Sequence, residues 1–235
     1  PLFYALINNI VPINANFLFG PPTYINQKFF DNQIDVSLVS SVFYLKNTEH
    51  LSLIKPFGIS AKGAVKSVFL YKKVNEPKTI ALTDESATSV ELLKILCKEK
   101  WCINPLFFKD KNIESYDAFL IIGDKALKES YPEYDVLDLS LEWYNHFQYP
   151  FAFALMVTRK NQNKDNIGYL TNKLEESLNW AESNINAIIE VASQKLFLPK
   201  IQLEEYFKLL NYRLDHIDFQ GLELFNKYLQ EKSYG

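Results

Sequence analysis

Apolar positions along this chain fall into two regimes. Through roughly the first two-thirds they come as short β-branched or aromatic runs: Ile34–Val39, Thr79–Leu82 after Pro77, Leu106-Phe107-Phe108, Ala118–Ile122 and Tyr149–Val157. Such runs, bounded by Pro, Gly or polar clusters, predict buried strands. Between them the spacing turns helical. Val90, Leu93, Leu96 and Cys97 share one face, with Lys94, Lys98 and Lys100 largely outside it, and Lys125-Ala126-Leu127-Lys128 begins a second helix. From about Leu170 onward everything reads as helix. Leu174, Leu178, Ala181, Ile185, Ile188 and Ile189 form one stripe, Tyr206, Leu209 and Leu210 belong to another, and Leu222, Phe225 and Leu229 to a third. Pro199 separates the first two, and Asp218-Phe219-Gln220-Gly221 marks entry to the last. Gly20-Pro21-Pro22 and Pro56-Phe57-Gly58 predict turns. The order predicts an α/β protein of two interleaved lobes: residues 1–73 with 158–235, and an inserted lobe of 74–157. A cleft between such lobes is a usual place for a ligand.

Three of the predicted strands end in small or polar residues just before a helix start. Val39 runs into Ser40-Ser41, Leu82 into Thr83-Asp84-Glu85-Ser86-Ala87-Thr88-Ser89, and Ile122 into Gly123-Asp124. In an open α/β fold these ends would converge on one sheet edge, outside the strand carboxyl ends where ligands bind. Hydroxyls and free N–H groups at a helix N-terminus suit a carboxylate or phosphate. The candidate anion-binding residues are therefore Ser40, Ser41, Ser86, Ala87, Thr88, Ser89, Gly123 and Asp124. Their plainer role is capping: Thr88 with Glu91 makes a capping-box pattern, and Asp124 also suits a helix start.

Composition narrows the partners. The chain has 235 residues, 48% of them hydrophobic, enough for one large core or two small ones. A net charge of −3 without a basic block argues against nucleic acid. Arg159 and Arg213 are the only arginines, so guanidinium clamps cannot dominate anion binding. Cys97 and Cys102 fit neither a redox pair nor a zinc half-site, and His50, His146 and His216 are scattered, so no metal cluster is expected. Two cysteines suit a reducing cytoplasm. The longest apolar run, Phe151–Val157, is too short to span a bilayer, so no membrane role is expected.

Taken together, Gly63-Ala64-Val65-Lys66-Ser67-Val68-Phe69-Leu70, Thr79–Ser89, Ile34–Ser41, Leu120–Leu127 and Asp138-Leu139-Ser140-Leu141-Glu142-Trp143 resemble the chorismate dehydratases of the futalosine route to menaquinone. Asn211-Tyr212-Arg213-Leu214 and Gly221–Phe225 are similar to the family's end, and the resemblance runs the length of the chain in order. It implies a type II periplasmic-binding-protein-like fold with a helical C-terminal section. It also implies loss of water from chorismate, a dicarboxylate, to give 3-[(1-carboxyvinyl)oxy]benzoate without a cofactor. The elimination takes the ring proton next to the enol ether and the neighbouring hydroxyl, driven by aromatisation. The family's opening Tyr-x-Asn-x-x-Pro motif aligns its proline with Pro1, so its substrate-facing asparagine falls ahead of Pro1. A form carrying that segment is expected to be the more active. Where members often have Thr-Gly-Leu, this chain has Phe147-Gln148-Tyr149, and a changed turn is expected there. No histidine occupies a matching motif, and Asp84 or Glu85 beside a dianion would be repelled. The substrate's own enolpyruvyl carboxylate can take the proton, with Ser67 hydrogen-bonding the departing hydroxyl or a carboxylate. Ser67 bonded only to backbone in a loop is the plain alternative. Two other functions stay open: a solute-binding protein that captures a small carboxylate, and the naphthoate-forming enzyme of the same pathway.

Overall fold

The short apolar runs form strands, and these sort into two sheets. The computed structural model describes residues 1–20, 22–110 and 112–231. It opens with α1 (Tyr4–Ile7), α2 (Pro22–Phe30), β1 (Val36–Ser40), α3 (Ser41–Lys46) and β2 (Leu51–Ala61). Next come β3 (Val68–Lys72), β4 (Thr79–Ala81), α4 (Ala87–Glu99), β5 (Leu106–Phe108), β6 (Ala118–Ile122), α5 (Gly123–Lys128), β7 (Asp135–Asp138) and α6 (Leu139–Phe147). The chain then returns through β8 (Phe151–Arg159) to α7 (Lys164–Ser183), α8 (Ile185–Leu196), α9 (Lys200–Leu209), β9 (Leu210–Arg213) and α10 (His216–Glu231).

One sheet has the order β1-β8-β2-β9 and is antiparallel throughout. The other runs β5-β4-β6-β3-β7, with β5, β4 and β6 parallel and β3 and β7 antiparallel to their neighbours. Strands covered on both faces need unbroken apolar runs. Ile80-Ala81 and Ala118-Phe119-Leu120-Ile121 supply them, all 3% exposed or less.

Four expectations are corrected. Both lobe boundaries move, because β3 pairs with β6 (Val68↔Ile122 to Lys72↔Ala118) and so belongs to the second sheet, while β8 sits between β1 and β2 in the first. The chain therefore crosses at residues 62–67 and 148–150, not after 73 and 157. Pro56-Phe57-Gly58 is no turn but part of β2, at a register shift between Leu53 and Gly58. A bulge tolerates a proline that cannot donate to the ladder. The tail is interrupted by β9, whose pairing with β2 takes Leu210 out of the helical stripe. Finally, the three polar strand ends lie on two sheets, with β1 in one and β4 and β6 in the other. Of the turn expected at Gly20-Pro21-Pro22, Pro21 lies outside the described residues.

The core runs through both lobes. Leu92, Leu93 and Leu96 of α4 pack in one cluster with Val42, Ala61, Trp143, Phe151 and Phe225. The Leu, Val and Phe side chains among these contribute about 1.5–3 kcal/mol each when fully buried. The helical section therefore rests on both lobes: α10 sends Phe225 against Phe151 and Trp143 (ring centroids 4.9 and 6.0 Å), and α8 and α9 pack Ile189 and Leu203 against Leu127 of α5. The second crossing passes so close to α10 that a Cβ on Gly221 would stand 2.2 Å from the Pro150 carbonyl oxygen. At the start of that crossing the chain makes a left-handed turn on a residue other than glycine. Gln148 takes φ +61° and closes α6, and its Nε2 donates to the carbonyls of Tyr144 and Asn145, both at 3.1 Å. The side chain thus satisfies helix-end acceptors in partial compensation for the disfavoured backbone. Among the described residues, no helix is long and apolar enough to cross a membrane.

Candidate functional site

The predicted site residues fall into two groups. In the first, the N-termini of α3 and α4 meet across the lobes. Ser40 caps α3, its Oγ accepting from Phe43 N at 3.3 Å, and the fully buried Ser41 hydroxyl donates to the Ala152 carbonyl at 2.6 Å. Val42 N then donates to Thr88 Oγ1 at 3.1 Å. The cap of α4 is Ser86, whose Oγ accepts from Ser89 N and from the Ser89 hydroxyl, both at 3.1 Å. This corrects the capping box: the helix begins at Ala87, so Thr88 lies inside its first turn, free to take the Val42 N–H. Ala87 is exposed at the helix start. Of these hydroxyls, that of Thr88 joins one lobe to the other, while those of Ser40, Ser41, Ser86 and Ser89 are engaged within their own lobe.

The second group forms around Ser67. The pairing of β3 with β6 sets Val68 opposite Ile122, and one step further Gly123 N donates to the Ser67 carbonyl at 2.8 Å. Gly123 has φ +61°, where glycine is at no disadvantage, and the exposed Asp124 follows it. Ser67 itself is 5% exposed. The segment leading into it includes two left-handed residues, Gly63 (φ +92°) and Lys66 (φ +55°), and is held by Asp138. One oxygen of that carboxylate caps α6 through Ser140 N (3.0 Å) and Leu141 N (3.2 Å); the other accepts from Val65 N (2.9 Å) and Lys66 N (2.7 Å). Burial nevertheless pushes the Asp138 carboxyl above the usual carboxylate range, outweighing the N–H donors that pull it down.

Helix α9 lies along this segment. Lys66 Nζ meets Glu205 Oε2 at 2.7 Å, and Gln202 Nε2 donates to the Leu127 carbonyl at 2.6 Å. Burial raises the pKa of Tyr206, as does the Asp124 charge; burial raises that of Tyr212 further. A cavity of about 380 Å³ is lined by Lys66, Phe69, Gln202, Glu205 and Tyr206 among others, and another of about 280 Å³ by Pro1, Phe207, Tyr212 and Arg213 among others. Sequence reasoning missed Tyr206, which it placed in an apolar helical stripe. A phenol in such a stripe, needing a partner for its hydroxyl, was the available signal.

Both arginines serve the scaffold. Arg213 is bound by Glu175 (3.0 Å from Nε), Asn179 (2.8 Å) and Glu182. Arg159 donates to the Phe29 and Ile34 carbonyls and pairs with Asp35 at 3.2 Å. His50, His146 and His216 are exposed, and no group of three or more His, Cys, Asp or Glu fit to hold a metal occurs among the described residues. Neither arginine is thus left to clamp an anion, and the candidate partners for a polar or anionic ligand are backbone N–H groups at the helix starts and the residues lining the cavity, Lys66 among them.

Solved structures share this fold at low sequence identity. A protein of Archaeoglobus fulgidus superposes with a TM-score of 0.79 at 18% identity, covering 100% of this chain and 93% of that one. A Candida albicans protein described as having the generic periplasmic-binding-protein fold gives 0.64 at 12%, covering 100% and 86%. The periplasmic aliphatic sulphonate binding protein of Escherichia coli gives 0.61 at 12%, covering 92% and 81%. In sequence, the chain is 30% identical over 231 residues to the chorismate dehydratase of Thermus thermophilus, covering 88% of this chain and 84% of the relative. It is also 30% identical over 143 residues to that of Campylobacter jejuni, covering 60% and 52%. A family model described as menaquinone biosynthesis matches residues 1–231. With this match, the Thermus relative and the two-lobe architecture in agreement, the chain belongs to the menaquinone biosynthesis family and has its periplasmic-binding-protein-like fold.

Proposed function

We propose that this chain is a chorismate dehydratase, a cytoplasmic hydro-lyase that forms 3-[(1-carboxyvinyl)oxy]benzoate without a cofactor. The observation that carries the reading is the 30% identity to the Thermus thermophilus chorismate dehydratase over nearly the whole chain. The position of Ser67 supports it: a buried serine at the inter-lobe crossing, held through its backbone by Gly123 and through its neighbours by Asp138. In this reading the substrate carboxylates lie against the helix starts at Ser40-Ser41, Ser86–Ser89 and Gly123-Asp124. There, N–H bonds to a charged acceptor are worth roughly 1.5–3 kcal/mol each. The enolpyruvyl carboxylate removes the ring proton, the C–O bond to the neighbouring hydroxyl breaks, and Ser67 donates a hydrogen bond to the departing oxygen. The ring becomes aromatic, and the proton held by the carboxylate passes to the departing hydroxide, which leaves as water, so no oxidant or reductant is needed.

The test is to incubate the protein with chorismate and follow the aromatic product by chromatography and mass. Product is expected from the wild type, with and without chelator, and from single His50, His146 and His216 variants. Ser67→Ala is expected to lower kcat more than it raises KM, as for a contact made chiefly in the transition state. Tight binding of chorismate without turnover would replace this reading with that of a carboxylate-binding protein. Turnover of a naphthoate precursor alone would point to the other enzyme of the pathway.

A further inference from the structure

A dicarboxylate substrate brings two full charges to a protein whose arginines are both committed to its scaffold. Backbone N–H groups can bind a carboxylate, but a charge taken out of water also calls for an opposite charge. The larger cavity supplies one. Its volume of about 380 Å³ falls within the range of about 300–1,000 Å³ usual for small-molecule sites. Lys66 is the one cationic side chain among the described residues on its wall. Phe69, Ala126 and Leu127 give the cavity an apolar side, and Glu205 faces Lys66 with Nζ and Oε2 2.7 Å apart. Phe69 follows Ser67 by two residues, the spacing that puts side chains on one face of a strand. The Gly123 N–H bond to the Ser67 carbonyl continues the β3–β6 ladder to that position. The cavity therefore borders the face of β3 that Ser67 shares.

We propose that Lys66 is a substrate-binding residue whose ammonium receives one carboxylate of the substrate in this cavity, exchanging Glu205 for the ligand. The inference rests on the dehydratase reading above for the identity of that ligand. The Lys66 and Glu205 side chains are 50% and 55% exposed, so their pair is screened by water and easily parted. A ligand carboxylate shielded by Phe69 and Leu127 meets the ammonium in a less polar setting, where the same attraction is stronger. Glu205, on the exposed rim, turns to solvent. The other acid on the wall, Asp138, does not compete for the ammonium, because the N–H groups of Val65, Lys66, Ser140 and Leu141 are already directed at its two oxygens. Its bond to Lys66 N also holds that residue in the left-handed turn (φ +55°), so the ammonium is presented from a fixed backbone. Glu205 in turn sets a threshold: an anion enters only if it binds Lys66 better than Glu205 does.

The test compares KM and kcat for chorismate in the wild type, Lys66→Met and Glu205→Gln, each first shown to be folded by circular dichroism. Lys66→Met keeps the aliphatic stem and loses the charge. It is expected to raise KM by about tenfold, the low end for a hydrogen bond to a charged group, with kcat changed less than about threefold. Glu205→Gln is expected to lower KM by about two- to fivefold, because Lys66 is released from its partner. The opposite signs separate this role from a plain brace between α9 and the crossing, where both variants break the same ion pair and so act alike. Shifts of KM in the same direction, or a Lys66→Met KM within about twofold of wild type, overturn the proposal. Should Lys66→Met fail to fold, the exposed Glu205→Gln decides alone, and a KM unchanged or raised overturns it. If the wild type binds chorismate without turning it over, the dehydratase reading falls, and the calorimetric Kd of the same three proteins decides the role of Lys66 by the same signs. If it neither binds nor converts chorismate, both fall together.

Discussion

Replacing Asp138 by Asn keeps the shape of the side chain and removes the one property its position requires. The carboxylate accepts four backbone N–H groups, two on each oxygen, at 2.7–3.2 Å. An amide accepts on one end only, so its NH₂ must face either Val65 and Lys66 or Ser140 and Leu141, donor against donor. Two charge-assisted bonds are lost, each worth roughly 1.5–3 kcal/mol. The neutral amide recovers part of this because it avoids the desolvation that raises the Asp138 pKa. The net expectation is a loss of about 2–4 kcal/mol in urea unfolding at pH 7, with Asp138→Ala at least as damaging. The pH dependence has a definite sign. A carboxyl whose folded pKa lies above its unfolded value binds its proton more readily when native. Its contribution is therefore most favourable below the unfolded value and falls as pH rises through the folded one. Asp138→Asn should lack that slope. A variant within about 0.5 kcal/mol of wild type, or Asn worse than Ala, would refute the acceptor argument.

Three further outcomes follow from the same contacts. Gly221→Ala gains about 1 kcal/mol of helix propensity but forces a methyl to within 2.2 Å of the Pro150 carbonyl, a clash of roughly 1–3 kcal/mol or more; a thermal melt should show net destabilisation, and a stabilised protein would show that the crossing yields freely. At Gln148, glycine should roughly match glutamine, relieving the φ of +61° while losing two side-chain bonds, whereas Gln148→Ala keeps the strain and loses the bonds; chemical unfolding that ranks Ala above Gln would contradict this. Thr88→Val leaves the Val42 N–H without its acceptor and should cost about 1–3 kcal/mol, while Ser86→Ala loses a cap for about 0.5–2 kcal/mol; a Thr88→Val protein as stable as wild type would show that the junction of α3 and α4 is made by packing alone.

How far each element was legible depended on the range of the interaction that fixes it. β4 and β6 were readable because a parallel strand buried on both faces writes an unbroken apolar run into the sequence, and the edge strand β5 because Leu106-Phe107-Phe108 stands as an apolar triplet between Pro105 and Lys109, although Leu106 and Phe108 are exposed. The passage of β2 through Pro56 and Gly58 was not, because those residues are local turn signals and only pairing with the distant β8 makes them a bulge. β9 was hidden for a similar reason: Leu209 and Leu210 continue a helical spacing, and the strand has three partners on β2. Among the candidate site residues, Ser67 and Gly123 are neighbours because of the β3–β6 register, which alternation alone does not specify. Ser86 and Thr88 were both plausible caps from local pattern. The bond that settles Thr88 comes from Val42, in another lobe.

The placement of β8 between β1 and β2 has a consequence for how the molecule is made. β1 and β2 are near in sequence but do not pair with each other; both wait for a strand that emerges from the ribosome only after residue 150. All five strands of the second sheet lie within residues 68–138, so that sheet is complete in one uninterrupted stretch of synthesis and can collapse while the first is still two lone strands. Domains generally fold as units as synthesis delivers them. Until β8 arrives, the ladder edges of β1 and β2 stand open to other chains. The nascent protein is therefore most vulnerable to aggregation in the interval between finishing its inserted lobe and delivering β8, and slowing translation after residue 150 should lengthen that exposure.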